Sequence, residues 1–300
     1  MTTARSVWGI DLGGTKIEGV VLPAADATEP VCRLRLPTEA AKGYEHIRGQ
    51  INRLVEDMAR VAGPPGAIGI GTPGVLDPET GCLKNSNTTC LIGKPLETDL
   101  QNDLGVDIAL ANDANCFALA EARLGAGRGA STVFGIIMGT GVGGGVVIDG
   151  QALYGAQGIA GEWGHNILDP AGPSCYCGRS GCVETFLAGP RLECFYQDLS
   201  GQSRTLAEIF TRHQQGQDPD ATKTIERLIA CFGRAVAVLI NMLDPHAIVL
   251  GGGVSNIDAL YAEGVREVER WIFNDVPQAR ILKNQLGDSA GVFGAAMLVA

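Results

Sequence analysis

At 300 residues, 45 % of them hydrophobic and 19 % charged, the chain reads as an ordinary soluble globular protein with material for two domains. Its formal net charge of −10 excludes the basic footprint of a nucleic-acid binder, and no apolar run approaches the ~20 residues of a membrane span. Such an acidic chain would need Mg2+ to approach a polyanion.

Ser6 to Asp11 predicts a strand, followed by a Gly-Gly turn, a second strand over Ile17 to Leu22 and a third around Leu34 and Leu36. Tyr44 to Val61 has helical spacing, with Ile47, Ile51, Leu54, Val55 and Met58 on one face. Ala67 to Gly71 predicts a buried strand ending at Thr72-Pro73-Gly74. Val106 to Ala111 predicts another, ending at Asn112-Asp113 and followed by a helix over Ala114 to Leu124. The opening then recurs about 128 positions on: a strand over Thr132 to Met138, a glycine loop over Gly139 to Gly145 and a strand over Val146 to Asp149. Helices follow over Glu184 to Leu199, Thr205 to His213 and Thr222 to Leu243. A buried strand, Ala247 to Leu250, runs into Gly251-Gly252-Gly253, then helices over Asn256 to Phe273 and Ala290 to Val299. Two similar α/β domains are expected, residues 1–113 with 289–300 and residues 114–288.

Glycine, 42 of 300 residues, is about twice its average usage of roughly 7 %. With no low-complexity tract to hold them, these glycines are expected in turns and ligand loops, where backbone approaches an anion closely. Asp11-Leu12-Gly13-Gly14-Thr15-Lys16 precedes a strand, which rules out the Walker A and dinucleotide fingerprints, since both open a helix. A hairpin turn can still present N–H groups to phosphate. Asp11 is then suited to hold hydrated Mg2+, and Thr15 and Lys16 to reach phosphate oxygens; a plain tight turn is the alternative. Gly139, Thr140 and Gly141 repeat the device, and Gly251, Gly252 and Gly253 offer backbone to a nucleotide's ribose and base.

His165, Cys175, Cys177 and Cys182 supply four ligands for a closed, structural tetrahedral Zn2+ site. A disulfide is disfavoured in the reducing cytosol, the compartment expected for a chain with no export signal over Met1 to Ser6 and with single cysteines (Cys116, Cys194, Cys231) in apolar stretches. Zinc there would order two nearby carboxylates, Glu162 and Glu184. Phosphoryl transfer to a hydroxyl needs a carboxylate base. Asp113 fits, although an Asn-Asp pair after a strand is also a helix N-cap signature. Asn87, Asn112, Glu162, His165 and Glu184 offer hydrogen bonds to a sugar, His165 through the ring nitrogen that zinc leaves over.

These motifs, in this order, resemble the ROK family of sugar kinases and repressors: Asp11 to Lys16, Asn112-Asp113, Gly139 to Gly145, Glu162-Trp163-Gly164-His165, the Cys-x-Cys-Gly-x-x-Gly-Cys segment and Gly251 to Ser255. The resemblance spans essentially the whole chain. It implies a two-domain actin/hexokinase-like (ribonuclease H-like) α/β fold with a cleft between the domains, ATP with Mg2+, structural zinc and a homodimer. It also implies a base at Asp113 and sugar contacts at Asn112, Glu162, His165 and Glu184, with Gly74 and Asn87 as further substrate-binding candidates. Lys84-Asn85-Ser86-Asn87, Gly161 to Asn166 and Cys177 to Phe186 look most like the family's bacterial fructokinases, implying transfer to the 6-hydroxyl of fructose, with mannose or glucose as further acceptors. The N-acetylglucosamine kinases and glucokinases are the alternative; the former usually carry Phe where this chain has Trp163. A ROK repressor would require a helix-turn-helix before the first strand, and few residues precede Val7. A sugar sensor would have no need of Asp113, and an actin-like ATPase no use for zinc-braced carboxylates.

Overall fold

The computed structural model describes residues 6–274 and 278–300. Of the segment Met1 to Ser6, expected to carry no export signal, all but Ser6 lies outside the described residues. Along the chain run β1 (Val7–Leu12), β2 (Lys16–Leu22), β3 (Cys32–Pro37), α1 (Tyr44–Ala62), β4 (Ala67–Thr72), β5 (Val75–Leu76), β6 (Leu83–Lys84), α2 (Leu96–Leu104), β7 (Asp107–Asn112) and α3 (Asp113–Arg123). Then come β8 (Thr132–Met138), β9 (Val142–Ile148), β10 (Gln151–Leu153), α4 (Glu184–Leu187), α5 (Gly189–Ser200), α6 (Leu206–Gln214) and α7 (Pro219–Leu243). The last are β11 (Ala247–Gly251), α8 (Glu263–Glu269), β12 (Arg280–Lys283) and α9 (Ala290–Met297).

Two compact units divide the chain. One comprises Met1–Gly129, Gly145–Ala160 and Gln285–Ala300, the other Ala130–Gly144 and Gly161–Asn284. The first division thus falls after Gly129 rather than at Asp113, because α3 packs on α9 and β10 and stays with the first unit.

In the first unit the sheet runs β3-β2-β1-β4-β7. The β1–β2 and β2–β3 pairs are antiparallel, and β1–β4 and β4–β7 are parallel. Helix α1 buries the expected Ile47, Ile51, Leu54, Val55 and Met58, and Gly19 of β2 makes room for Met58, whose Sδ would lie 2.5 Å from a Cβ there. Helix α9 packs against β1 and β4. A Cβ on Gly9 would meet the Val292 carbonyl oxygen at 2.4 Å, one on Gly69 the Ala295 carbonyl oxygen at 1.8 Å, and one on Gly294 the Cys116 carbonyl oxygen at 1.7 Å. Part of the glycine excess therefore serves helix packing rather than ligand loops.

The second sheet repeats that order as β10-β9-β8-β11-β12, with β9–β10 antiparallel and β8–β11 and β11–β12 parallel. Each strand of the repeat answers its counterpart in the first, the actin/hexokinase-like arrangement. Several elements differ from expectation. Strand β9 starts at Val142, so Gly143, Gly144 and Gly145 are strand rather than loop residues. The single helix expected over Glu184 to Leu199 breaks at Ala188, whose ψ is 140°; Pro190, lacking an N–H, is tolerated only in the first turn of the new helix α5. Helix α7 begins earlier than expected, at Pro219, because Asp218 caps it by accepting the Asp220 and Ala221 N–H groups. The helix expected over Asn256 to Phe273 is two 3-10 turns followed by the short α8. Helix α2 and the short strands β5, β6, β10 and β12 carried no clear periodicity.

All nine cysteines are free; Cys116 and Cys231 are buried as expected, whereas Cys194 is exposed. No helix among the described residues is long and apolar enough to cross a membrane.

Gly69→Ala is expected to destabilise the chain by about 3 kcal/mol or more, because a new methyl would have to displace helix backbone. Thermal or urea denaturation checks this, and an unchanged midpoint would show that α9 does not sit on β4 as described.

Candidate active site

The first unit holds a cavity of about 590 Å3 lined by, among others, Asp11, Gly13, Gly14, Pro73, Asn87 and Asp113. Asp11 lies near the end of β1, opposite Glu18 in register. Glycines enclose it: a Cβ on Gly291 would lie 3.2 Å from its Oδ2, and one on Gly71 3.5 Å from its Oδ1. Burial pushes its pKa up to about 6, with the charges of Asp113 and Glu18 adding to the rise and Lys16 opposing it. Asp113 opens onto the same cavity at the start of α3. Its carboxyl is recessed rather than sealed, and the protein surrounding it raises its pKa by desolvation.

The helix-cap question resolves in favour of Asn112, whose Oδ1 accepts the Asn115 N–H at 2.7 Å. Asp113 accepts its neighbour Ala114's N–H at 2.8 Å, and its carboxylate is not spent on capping.

The first glycine turn is tight, the Gly13 N–H donating to the Lys16 carbonyl at 2.9 Å. Thr38 braces it, its hydroxyl donating to the Gly13 carbonyl at 2.6 Å and its N–H to the Thr15 carbonyl at 3.0 Å. Lys16 turns its ammonium onto Glu18 at 3.1 Å instead of toward the cavity, and Arg33 and Arg35 converge on the same buried carboxylate. Gly74 also departs from expectation. It is buried, a Cβ there would meet the Lys84 carbonyl oxygen and Ser86 Cβ at 2.9 Å, and Pro73 lines the cavity in its place.

In the second unit the Gly139–Gly141 turn closes on itself, the Gly139 N–H donating to the Gly141 carbonyl at 2.9 Å. Gly139, Thr140 and Gly253 share a second cavity, about 700 Å3, with Gly189, Thr205 and Phe210. Two of the sequence's glycine loops therefore converge, through Gly253. Gly252 instead takes φ 81°, and a Cβ on it would meet the Met138 carbonyl oxygen at 2.3 Å. Gly251 ends β11. Gly189, Thr205 and Phe210 carried no motif in the sequence; only the fold brings them to the loop.

The four zinc-ligand candidates converge as well: one ligand atom from each of His165, Cys175, Cys177 and Cys182 lies within 4.8 Å of all the others. The His165 Nδ1 to Cys175 Sγ and Cys177 Sγ to Cys182 Sγ distances are both 3.6 Å, close to the ~3.8 Å between thiolates on one tetrahedral zinc with bonds near 2.3 Å. Burial and the adjacent thiols push the Cys182 thiol up to about 12, so a bare thiolate is disfavoured there and a cation would stabilise it. Gly181 permits the turn, since at φ 71° a Cβ would lie 1.5 Å from the Asp169 carbonyl oxygen. The residues fit zinc. The His165 Nε2, expected to serve a sugar hydroxyl, lies 3.0 Å from the Tyr176 hydroxyl instead.

Glu162 and Glu184 flank this knot in sequence, and Glu184 accepts the Val142 N–H on Oε2 at 3.0 Å. Trp163, between Glu162 and the zinc-site histidine, is core: 3 % exposed, edge-on to Phe134 and donating its indole N–H to the Ala235 carbonyl at 3.3 Å.

A strand, glycine turn and strand in each of the two sheets, with Asp11 and Asp113 lining the first unit's cavity, define a protein of the actin/hexokinase-like class. The sequence profile of the ROK family matches residues 7–300. The chain is 36 % identical over 301 residues to the N-acetyl-D-glucosamine kinase of Pectobacterium atrosepticum, covering 97 % of this chain and 98 % of that one. A ROK hexokinase from Thermus thermophilus superposes with a TM-score of 0.88 at 34 % identity, covering 98 % and 97 % of the two chains. A ROK family glucokinase from Streptomyces griseus, solved with glucose and AMPPNP, does so at 0.79 and 28 %, covering 98 % of each. The chain belongs to the ROK family, as one of its sugar kinases.

The Asp11 carboxyl is expected to titrate near pH 6, and Asp113→Asn to lower that midpoint only part of the way, since burial, the larger cause, remains. The folded chain then binds that proton more tightly than the unfolded chain, so the contribution of Asp11 favours folding below about pH 4 and fades as pH rises through 6. Carboxyl-carbon NMR titration checks both statements; a midpoint near 4 in the unaltered chain would refute the pairing.

Proposed function

We propose that the chain transfers the γ-phosphoryl group of ATP to the 6-hydroxyl of N-acetyl-D-glucosamine, with Asp113 as general base. The observation that carries the chemistry is the Asp11–Asp113 pair facing one cavity beside the Gly13–Gly14 turn. Asp113, with its raised pKa, is a better proton acceptor than an ordinary carboxylate while still ionised above that pKa. Asp11 is the group to hold Mg2+, which would stabilise the ionised carboxylate against the burial and neighbouring negative charge that raise its pKa. Backbone N–H groups of the two glycine turns receive the phosphates, and the cavity around Gly253 and Phe210 receives the nucleoside. Asn87, Asn112, Glu162, His165 and Glu184 are the residues to read sugar hydroxyls.

N-acetyl-D-glucosamine is preferred over the fructose that the sequence motifs suggested. The aromatic residue that weighed against it, Trp163, is buried in the core of its unit and reads no substrate. Relatives aligned over nearly the whole chain at 34–36 % identity are N-acetyl-D-glucosamine kinases. The likeness to a hexokinase supports glucose as a second acceptor.

Zinc on His165, Cys175, Cys177 and Cys182 would act structurally, its four protein ligands leaving no open position for chemistry. Those ligands pin the turn between Trp163 and Glu184.

A coupled ADP assay with N-acetylglucosamine, glucose, mannose and fructose tests the substrate, and the highest kcat/KM is expected with the first. Asp113→Ala is expected to lower kcat by roughly 10²–10⁴-fold while sugar still binds; near-unaltered turnover would rule out the base. Metal analysis is expected to find about one zinc per chain and far less in Cys177→Ala, together with a lower melting temperature. A metal-free chain of unchanged stability would refute the site.

A further inference from the structure

The Glu184 carboxylate belongs to two structures at once. It stands at the start of α4, two residues after Cys182, and Oε2 accepts the Val142 N–H at 3.0 Å. Val142 is the residue at which the Gly139–Gly141 turn becomes β9. A Cβ on Gly141 would lie 2.7 Å from that same oxygen, so the carboxylate lies flush against the turn's backbone. Five residues on, the Gly189 N–H donates to the Gly139 carbonyl at 2.8 Å. One segment, 184–189, therefore grips both ends of the turn.

That segment is itself well fixed. The Thr185 hydroxyl donates to the Cys182 carbonyl at 2.8 Å, and the Val183 N–H to the Asn166 carbonyl at 2.9 Å. The Gly139 and Val142 N–H groups are taken by protein acceptors, while those of Thr140 and Gly141 meet none among the described residues and are left for a ligand.

We infer that Glu184 is a positioning residue for the phosphate donor as well as an acceptor contact, and that through it sugar binding tightens nucleotide binding. The inference rests on the reading of Glu184 as a sugar ligand. A glycine turn loses much conformational freedom on ordering, and a charge-assisted hydrogen bond to its edge removes part of that freedom in advance. A sugar hydroxyl donating to the same carboxylate locks its rotamer, so less ordering is left for the nucleotide. By linkage, nucleotide tightens sugar by the same factor.

The test is calorimetric titration of Mg·AMPPNP into the unaltered chain, Glu184→Ala, Glu184→Gln and Asn87→Ala, each with and without saturating N-acetyl-D-glucosamine. In the unaltered chain the sugar is expected to tighten the nucleotide within the ~5–150-fold range of ordinary couplings. Glu184→Ala, which leaves the Val142 N–H without its acceptor, is expected to weaken sugar-free nucleotide binding about tenfold and to abolish the gain from sugar. Glu184→Gln still offers Val142 an amide oxygen, though an uncharged one, so it weakens sugar-free binding less than Glu184→Ala and loses the gain. Asn87→Ala, altering a sugar contact in the other unit, weakens sugar but keeps the gain at saturation.

A folded Glu184→Ala chain that binds nucleotide as the unaltered chain does in both arms overturns the inference. So does a full gain in Glu184→Gln, which serves alone if the alanine chain does not fold. An unaltered chain that binds none of the sugars refutes the sugar-kinase reading and the sugar coupling together, and the sugar-free arm then decides separately whether Glu184 holds the loop.

Discussion

Close approach of one backbone to another, with no Cβ between them, is the constraint on which this structure depends. Gly9 and Gly69 let α9 lie directly on β1 and β4, and Gly294 lets it meet α3 at Cys116. That packing brings Gly291, at the start of α9, against the Asp11 carboxylate. The same property shapes the Gly13–Gly14 and Gly139–Gly141 turns, where the absence of Cβ atoms leaves backbone close to the surface and, at Gly141, lets the Glu184 carboxylate lie against it. Glycine here packs the core and shapes the turns beside the cavities.

The site's electrostatics follow from where the strands end. Asp11 is the next-to-last residue of β1 and Asp113 follows β7, with β4 between those two strands in the sheet. Their carboxyls share a cavity wall while the nearby cations are drawn off to Glu18, which takes Lys16, Arg33 and Arg35 together. Among the described residues, the cavity is thus left with negative charge at Asp11 that only the pull of Lys16 opposes. A divalent cation is the natural counterion for such a place. On a chain of net charge −10 it also makes a polyphosphate approachable.

The repeat of strand, glycine turn and strand was legible because glycine and β-branched residues mark it locally, and the candidate metal ligands were legible because three cysteines fall within eight residues. Asp113 could be singled out by its place after a buried strand, yet only the structure shows that Asn112, not Asp113, caps α3. What escaped reading depends on contacts remote in sequence. Lys16 looked like a phosphate ligand until Glu18 and β3 were seen beside it. Gly74 looked like a substrate contact, but Lys84 and Ser86 occupy the space over it. The unit boundary slipped from Asp113 to Gly129 because α3's partner, α9, lies at the far end of the chain. Gly189, Thr205 and Phe210 reach the second cavity only through the break at Ala188 and the return of α6, which no local pattern announces.

A fold alone does not separate a kinase from a sensor. On the function proposed above, the carboxylate pair does. Two carboxyls whose pKa values are raised first of all by desolvation, that of Asp11 to about 6, oppose folding at neutral pH, and an asparagine in place of either would carry no charge to desolvate while still hydrogen-bonding a sugar. A pure sensor gains nothing from keeping both charges. A phosphoryl transferase needs one to hold a cation against the donor and one to take the acceptor's proton, and the two tasks cannot be merged into one group. Strain of this kind, kept where a neutral side chain would fit, is what chemistry demands and recognition does not.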